Sequence, residues 1–193
     1  MVNFAPLAPS AIWMRDFLHG FSSGLSEEDA IIEANKKLPS SKEFGRFILF
    51  DNKASIHILS VAIEGGSRQL RNTYKIGNLM LSDHGDWRKV HLGAIEAYLG
   101  RTPFYRHIEQ NIRNVYEDGR LNSLKNFNSA IFNVLKSFLI GSLEPASFEI
   151  FNEKEVLKQR GIEISKRINR EESVLQALAH HGKESLLGLV VLE

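Results

Sequence analysis

The strongest constraint on the fold is the run from Asp86 to Gly141, where apolar residues recur at helical spacing between well-placed capping and breaking residues. Asp86 is placed to cap a first helix that runs to Tyr98 or Leu99, with Gly100 to end it and Arg101 near its negative end. Thr102 and Pro103 restart the chain at once, and proline suits a first helical turn. Phe104, Ile108, Ile112, Val115 and Tyr116 then make the inward stripe of a second helix, ended by Gly119. Asn122 is placed to cap a third, whose stripe is Leu124, Phe127, Ile131, Val134, Leu135 and Phe138, with Gly141 closing it.

The flanks carry shorter signals. Pro9 and Ser10 open a short helix through "AIWMRDFL", with Ile12, Phe17 and Leu18 as apolar contacts and Gly20 as its end. "LSEEDAIIEANKKL" admits two readings: a helix capped at Ser26 with Asp29 three residues on, or a buried strand through "AIIEA". "RFILF" and "SIHILSVAI" read as a β-hairpin across Asp51-Asn52, and "YKIGNLML" as a further strand after the Glu64–Asn72 loop. Beyond Pro145, "SFEIF" and "IEI" look extended, "EKEVLKQR" and "SVLQALAHH" helical, and "LLGLVVL" able to complete a sheet. This alternation predicts an α/β fold, a mixed sheet with packed helices in a single compact domain over residues 1–193, with α+β as the alternative.

Composition narrows the function classes. A formal charge of +1 in 193 residues, without an arginine or lysine block, points away from DNA or RNA partners. The absence of cysteine removes disulfides, thiolate metal sites and a cysteine nucleophile, and it fits a cytoplasmic setting. No apolar run approaches the roughly 18 residues that span a bilayer, so membrane insertion is not expected. His180 and His181 are adjacent, which on a helix sets them about 100° apart, and there is no HExxH, so no metal site is expected. "GFSSG" at Gly20–Gly24 has the spacing of a nucleophile elbow but follows a predicted helix instead of a strand. His57, on the face of Leu59, Val61 and Ile63, reads as a core histidine.

The chemistry concentrates at the start of the central run, "LSDHGDWRKVHLGAIEAYLGRTPFY". His84 would stand just outside the helix beside its free amides, where an anion is favoured, with Arg88 and Lys89 adding to the attraction and Asp86 opposing it. His91 falls on the apolar face with Trp87, Ala94, Ile95 and Tyr98. It can be a proton-transfer group with a shifted pKa or a core histidine bonded to a backbone carbonyl. Trp87 and Arg88 can be a ligand platform or ordinary packing. Gly93 costs roughly 1 kcal/mol in a helix, which leads one to expect a close approach there.

The same stretch resembles the WbqC-like family in its Trp87-Arg88 pair, His91, Ile95, Tyr98, Pro103-Phe104 and the preceding "SDHG". "LSVAIEGGSR" and "ESVLQALAHHGKESL" are similar to the family at lower specificity, and two departures stand out. "SSKEFGRF" keeps Arg46 but not the family's full polar stretch, and Gln176 stands where the resemblance implies an aspartate. The resemblance implies a role in bacterial surface-polysaccharide synthesis, such as O-antigen or lipopolysaccharide assembly, without supplying a reaction. Two classes follow. One is a transferase acting on an activated sugar precursor, an anionic small molecule or sugar-nucleotide, with His91 and His84 transferring protons and Arg46, Arg68, Trp87 and Arg88 binding substrate. The other is a noncatalytic binding or scaffold protein of the same pathway. No cofactor is identifiable from the residues.

Overall fold

Six helices and one β-hairpin are built around a shared apolar interior in the computed structural model, which describes residues 2–50, 56–72, 75–140 and 172–183. Helix α1 is Ala11–Ser22, capped by the Ser10 hydroxyl accepting the Trp13 N–H at 3.2 Å. It buries Trp13, Met14, Phe17, Leu18 and Phe21, whereas Ile12 is exposed. Gly20 does not end it. The helix continues to Ser22, and Gly20 instead makes room for the turn that follows, since a Cβ there would lie 3.2 Å from Leu25 Cδ1.

The ambiguous segment resolves as helix α2, Glu27–Asn35. Ser26 accepts the Asp29 N–H at 3.1 Å and donates its hydroxyl to the Asp29 carboxylate at 2.6 Å, while Glu27, Glu28 and Asp29 place negative charge at the positive helix end. A strand would forfeit both contributions. Strands β1, Arg46–Phe50, and β2, Ile56–Ser60, form the expected antiparallel hairpin, with Phe47 opposite Leu59 and Leu49 opposite His57. His57 is a correction. It lies one pair from the turn end of the ladder, exposed although Leu49 opposite it is buried, with its ring 5.6 Å from that of Tyr98.

"YKIGNLML" is not a strand in its described part. Ile76–Asn78 form a 3-10 turn, as the Gly77-Asn78 pair favours, and only isolated bridges follow, Met80 with Ser123 and Leu81 with Ile63. These bridges lead into the central helices α3, Trp87–Leu99, α4, Glu109–Glu117, and α5, Leu124–Ile140. Two caps differ from expectation. The cap of α5 is Ser123, whose hydroxyl accepts the Asn126 N–H at 3.2 Å, while Asn122 offers its carbonyl to Leu81. Pro103 does not begin α4 either: the Phe104 N–H bonds to Ala179 O at 3.0 Å, a short 3-10 turn at Tyr105–His107 follows, and the Phe104 ring stays 42% exposed. The remaining stripe residues Ile108, Ile112, Val115 and Tyr116 are buried as expected.

Helix α6, Val174–His181, is capped by Ser173 and buried along nearly its whole length. It closes the core against α1 and α3. Its N-terminus bridges the start of α1, through Ala11 N–H to Glu172 O and Val174 N–H to Pro9 O. Buried amides tie distant segments together in the same way: Asn128 Nδ2 donates to the carbonyls of Ala5 and Phe44. The described residues thus form helices packed with a small antiparallel sheet, consistent with the mixed α/β class and with its α+β alternative. The elements expected at "SFEIF", "EKEVLKQR", "IEI" and "LLGLVVL" lie outside the described residues. Among those described, no helix is long and apolar enough to cross a membrane.

Candidate functional site

The segment before α3 is a turn, with Gly85 at φ 76° and Asp86 at φ 48°. A left-handed aspartate costs about 1 kcal/mol, and Asp86 makes no side-chain cap. The turn drops Trp87 into the interior at 5% exposure, where its indole N–H donates to Ser82 O at 2.7 Å. An aromatic cage forms around it. The His91, Tyr116 and Phe127 rings lie 5.0, 6.2 and 5.3 Å from the Trp87 ring, and Tyr116 and Phe127 meet edge-on at 5.1 Å.

Arg88 binds this cage to the next two helices. Its guanidinium carbon lies 4.9 Å from both the Trp87 and Phe127 ring centres, and its nitrogens donate to the carbonyls of Tyr116 and Leu121. Burial lowers its pKa, with Asp83 the largest opposing influence. His91 is 1% exposed, and its Nδ1 is 3.3 Å from the Tyr116 hydroxyl. Burial holds its pKa down to about 4, while the Ser60 carbonyl favours the protonated ring. That carbonyl does not complete a hydrogen bond, since Nε2 has no partner among the described residues. At neutral pH the imidazole is uncharged.

Above the cage lies a hollow of about 520 Å³ between α3 and α4. Trp87 and Arg88 line it, but His91 does not, and neither do His84, Arg46 or Arg68. His84 is exposed in the turn between the lining residues Asp83 and Asp86. Arg46 begins β1, and Arg68 is exposed in the 3-10 turn Ser67–Arg71. The six residues singled out in the sequence thus do not converge on one cavity. Lys89, expected to attract an anion, does line it, and the charged lining groups missed were Glu96, Arg113 and Glu117. The spacing of Arg113, four residues from both Glu109 and Glu117, marks a surface ion-pair row within α4 and not its reach across to Glu96 at 3.2 Å.

The charge of the hollow is mixed. Asp83, Asp86, Glu96 and Glu117 face Arg88, Lys89 and Arg113, and most of the cationic donors are engaged by Glu96, Glu117 or backbone carbonyls. Such a rim offers acceptors to hydroxyls or an ammonium group as readily as donors to an anion. Gly93 corrects another expectation. Nothing lies within 4 Å of where its Cβ would be, so its missing side chain leaves open space at the hollow.

The departure at Gln176 has a structural use. Its amide oxygen accepts the Phe50 N–H at 3.0 Å and its amide nitrogen donates to Phe50 O at 2.6 Å, closing the end of β1. An ionised aspartate accepts but does not donate, so it could not make both bonds. Among the described residues, no three His, Asp or Glu side chains gather as a metal site.

A family model described as the WbqC-like protein family matches residues 45–183, well over half of the chain, and the chain belongs to that family. Searches of curated proteins and of solved structures found no significant match.

Proposed function

We propose that the chain handles an activated sugar precursor in bacterial surface-polysaccharide assembly, O-antigen or lipopolysaccharide, as a transferase that seats the polar part of that precursor in the α3–α4 hollow. One observation supports this most: the family's central segment supplies one wall of a ligand-sized concavity whose rim carries both donors and acceptors. Lys89 faces the anionic part of the precursor, Arg88 holds the wall behind it through Tyr116 O and Leu121 O, and Asp83, Asp86 and Glu96 accept its hydroxyls. His84, at the rim, is the imidazole placed to exchange a proton with substrate. His91 acts from beneath, as a neutral group that positions Tyr116.

A noncatalytic binding or scaffold role in the same pathway is favoured by the engagement of Arg88 with backbone carbonyls and by the enclosure of His91. A thermal-shift screen of nucleotide-sugars, aminoacyl donors and acyl donors separates the readings, because a ligand bound only by the native state raises Tm. Gly93→Ala sharpens it. The substitution should stabilise the free protein by up to about 1 kcal/mol and yet reduce the ligand-induced shift, since the new methyl group enters the hollow. If no donor class shifts Tm, the precursor reading fails and the scaffold reading stands. With an active donor found, His84→Ala should lower turnover while leaving Tm unchanged.

A further inference from the structure

We infer that a second pocket, bounded by the approach to α4, the last turns of α5 and the end of α6, binds a nucleoside diphosphate. This inference stands on that pocket alone and does not require the α3–α4 hollow to bind anything. The pocket measures about 550 Å³, within the range of small-molecule sites. Its apolar part is Phe104, Ile108, Phe138 and Leu178, and its polar side chains are His107, Ser137, His181 and Lys183. None of the described lining residues is a carboxylate; the Ser137 hydroxyl donates to Val134 O at 2.8 Å, so the positive charge offered to an anion is that of Lys183.

The aromatic wall is held in place although it is exposed. The Phe104 backbone is tied to Ala179 O at 3.0 Å, and its ring covers Gly182, where a Cβ would lie 3.3 Å from a ring carbon. Gly182, at φ 73°, turns the chain so that Lys183 follows at the rim. A ring exposed to this degree and fixed from behind suits stacking by a planar base. The negative end of α6 opposes an anion, and cations near a helix end are ordinarily explained by that end alone. Here two of its last carbonyls are already satisfied, Leu178 O by the Gly182 N–H and Ala179 O by the Phe104 N–H. With His180 and His181 already in the last turn, Lys183 lies past the helix and is left to meet the phosphates.

Calorimetric titration with uridine diphosphate and adenosine diphosphate tests this, with uridine and inorganic pyrophosphate as part-ligands. At least one diphosphate should bind saturably, and each part-ligand more weakly by about tenfold or more. Lys183→Ala and Phe104→Ala should each weaken binding by about tenfold, while Lys36→Ala, at an exposed lysine that lines neither pocket, leaves it unchanged. Circular dichroism melts verify that the variants fold, and Lys183 and Phe104 are exposed enough for truncation to be tolerated. Three results overturn the assignment: no saturable binding of either diphosphate, binding that survives both pocket variants, or pyrophosphate binding as tightly as the nucleotide. Loss of binding in Lys89→Ala alone would place the nucleotide in the α3–α4 hollow and also overturn it.

Discussion

The two concavities are nearly equal in size, about 520 and 550 Å³, and are built in opposite ways. The α3–α4 hollow takes one wall from a contiguous, chemically conspicuous segment, and its charges of both signs largely neutralise one another. The α4–α5–α6 pocket draws on three segments far apart in sequence, with no acid among its described lining residues. Tryptophan, arginine and histidine at helical spacing attract functional readings because they are rich in chemistry. Here the same richness serves to lock three helices: the indole, guanidinium and imidazole satisfy or stack on one another below the surface. The groups left at the first rim come from residue types that any solvated helix carries.

The contrast is broken most severely by truncating one aromatic residue from each region. Trp87→Ala should destabilise the fold by about 3–5 kcal/mol, since it empties the cage and leaves Ser82 O without its donor. Phe104→Ala, at a ring 42% exposed, should cost about 1 kcal/mol. Urea unfolding measures both, and equal losses would mean that the second pocket is as much a part of the core as the first.

The pH dependence of stability carries the next largest effect. The folded pKa of His91, about 4, lies below its unfolded value of 6.5, so the unfolded chain takes up its proton first. The contribution of His91 is therefore intact above pH 6.5 and declines as pH falls toward 4, by about 3 kcal/mol in all. Glu172 works in the other direction. Buried at 7% exposure, its carboxyl is pushed up to about 7, so its contribution is intact below the unfolded value of 4.5 and is lost as pH rises through 7. His91→Phe should flatten the acid limb of the stability profile, and Glu172→Gln should raise stability at pH 8 by about 2–3 kcal/mol. A profile unchanged by either substitution would show that the group is hydrated in the native state.

Arg88→Lys is a milder perturbation of the cage than Trp87→Ala. A lysine keeps the charge but cannot span both carbonyls while lying flat between the Trp87 and Phe127 rings, so a loss of about 1–2 kcal/mol is expected in the same unfolding measurement. No loss would mean that the guanidinium is free for a ligand.

Much of the fold was legible because its signals are local. Ser10, Ser26 and Ser173 each bond an amide three residues on, and Ile112, Val115 and Tyr116 of α4 and Leu124, Phe127, Ile131 and Leu135 of α5 bury as their spacing implies, while Val134 and Phe138 are only partly buried. The misreadings arise where a distant partner decides. Phe104 left its stripe because Ala179 takes its N–H, and Asn122 yielded the cap to Ser123 because its own carbonyl meets Leu81. His57 shares the face of the buried Leu59 and stands opposite the buried Leu49, yet it is exposed, its ring lying 5.6 Å from that of Tyr98 on α3. For the candidate site, Trp87 and Arg88 were visible as a wall. Arg113 and Glu117 were not, because helical spacing fixes a face within α4 but not which helix that face will meet. The second pocket left no local trace, since Phe104, Phe138 and Lys183 share no element.

The central claim is that His91 belongs to a closed cage below the hollow and remains neutral there. Side-chain NMR of the imidazole between pH 3.5 and 8 tests it most directly, in the intact protein with His91 assigned by its absence from His91→Phe. The resonance should be unchanged from pH 8 down to about 5.5, with a titration midpoint near 4. A midpoint between about 6 and 7, the range of a solvated histidine, would contradict it.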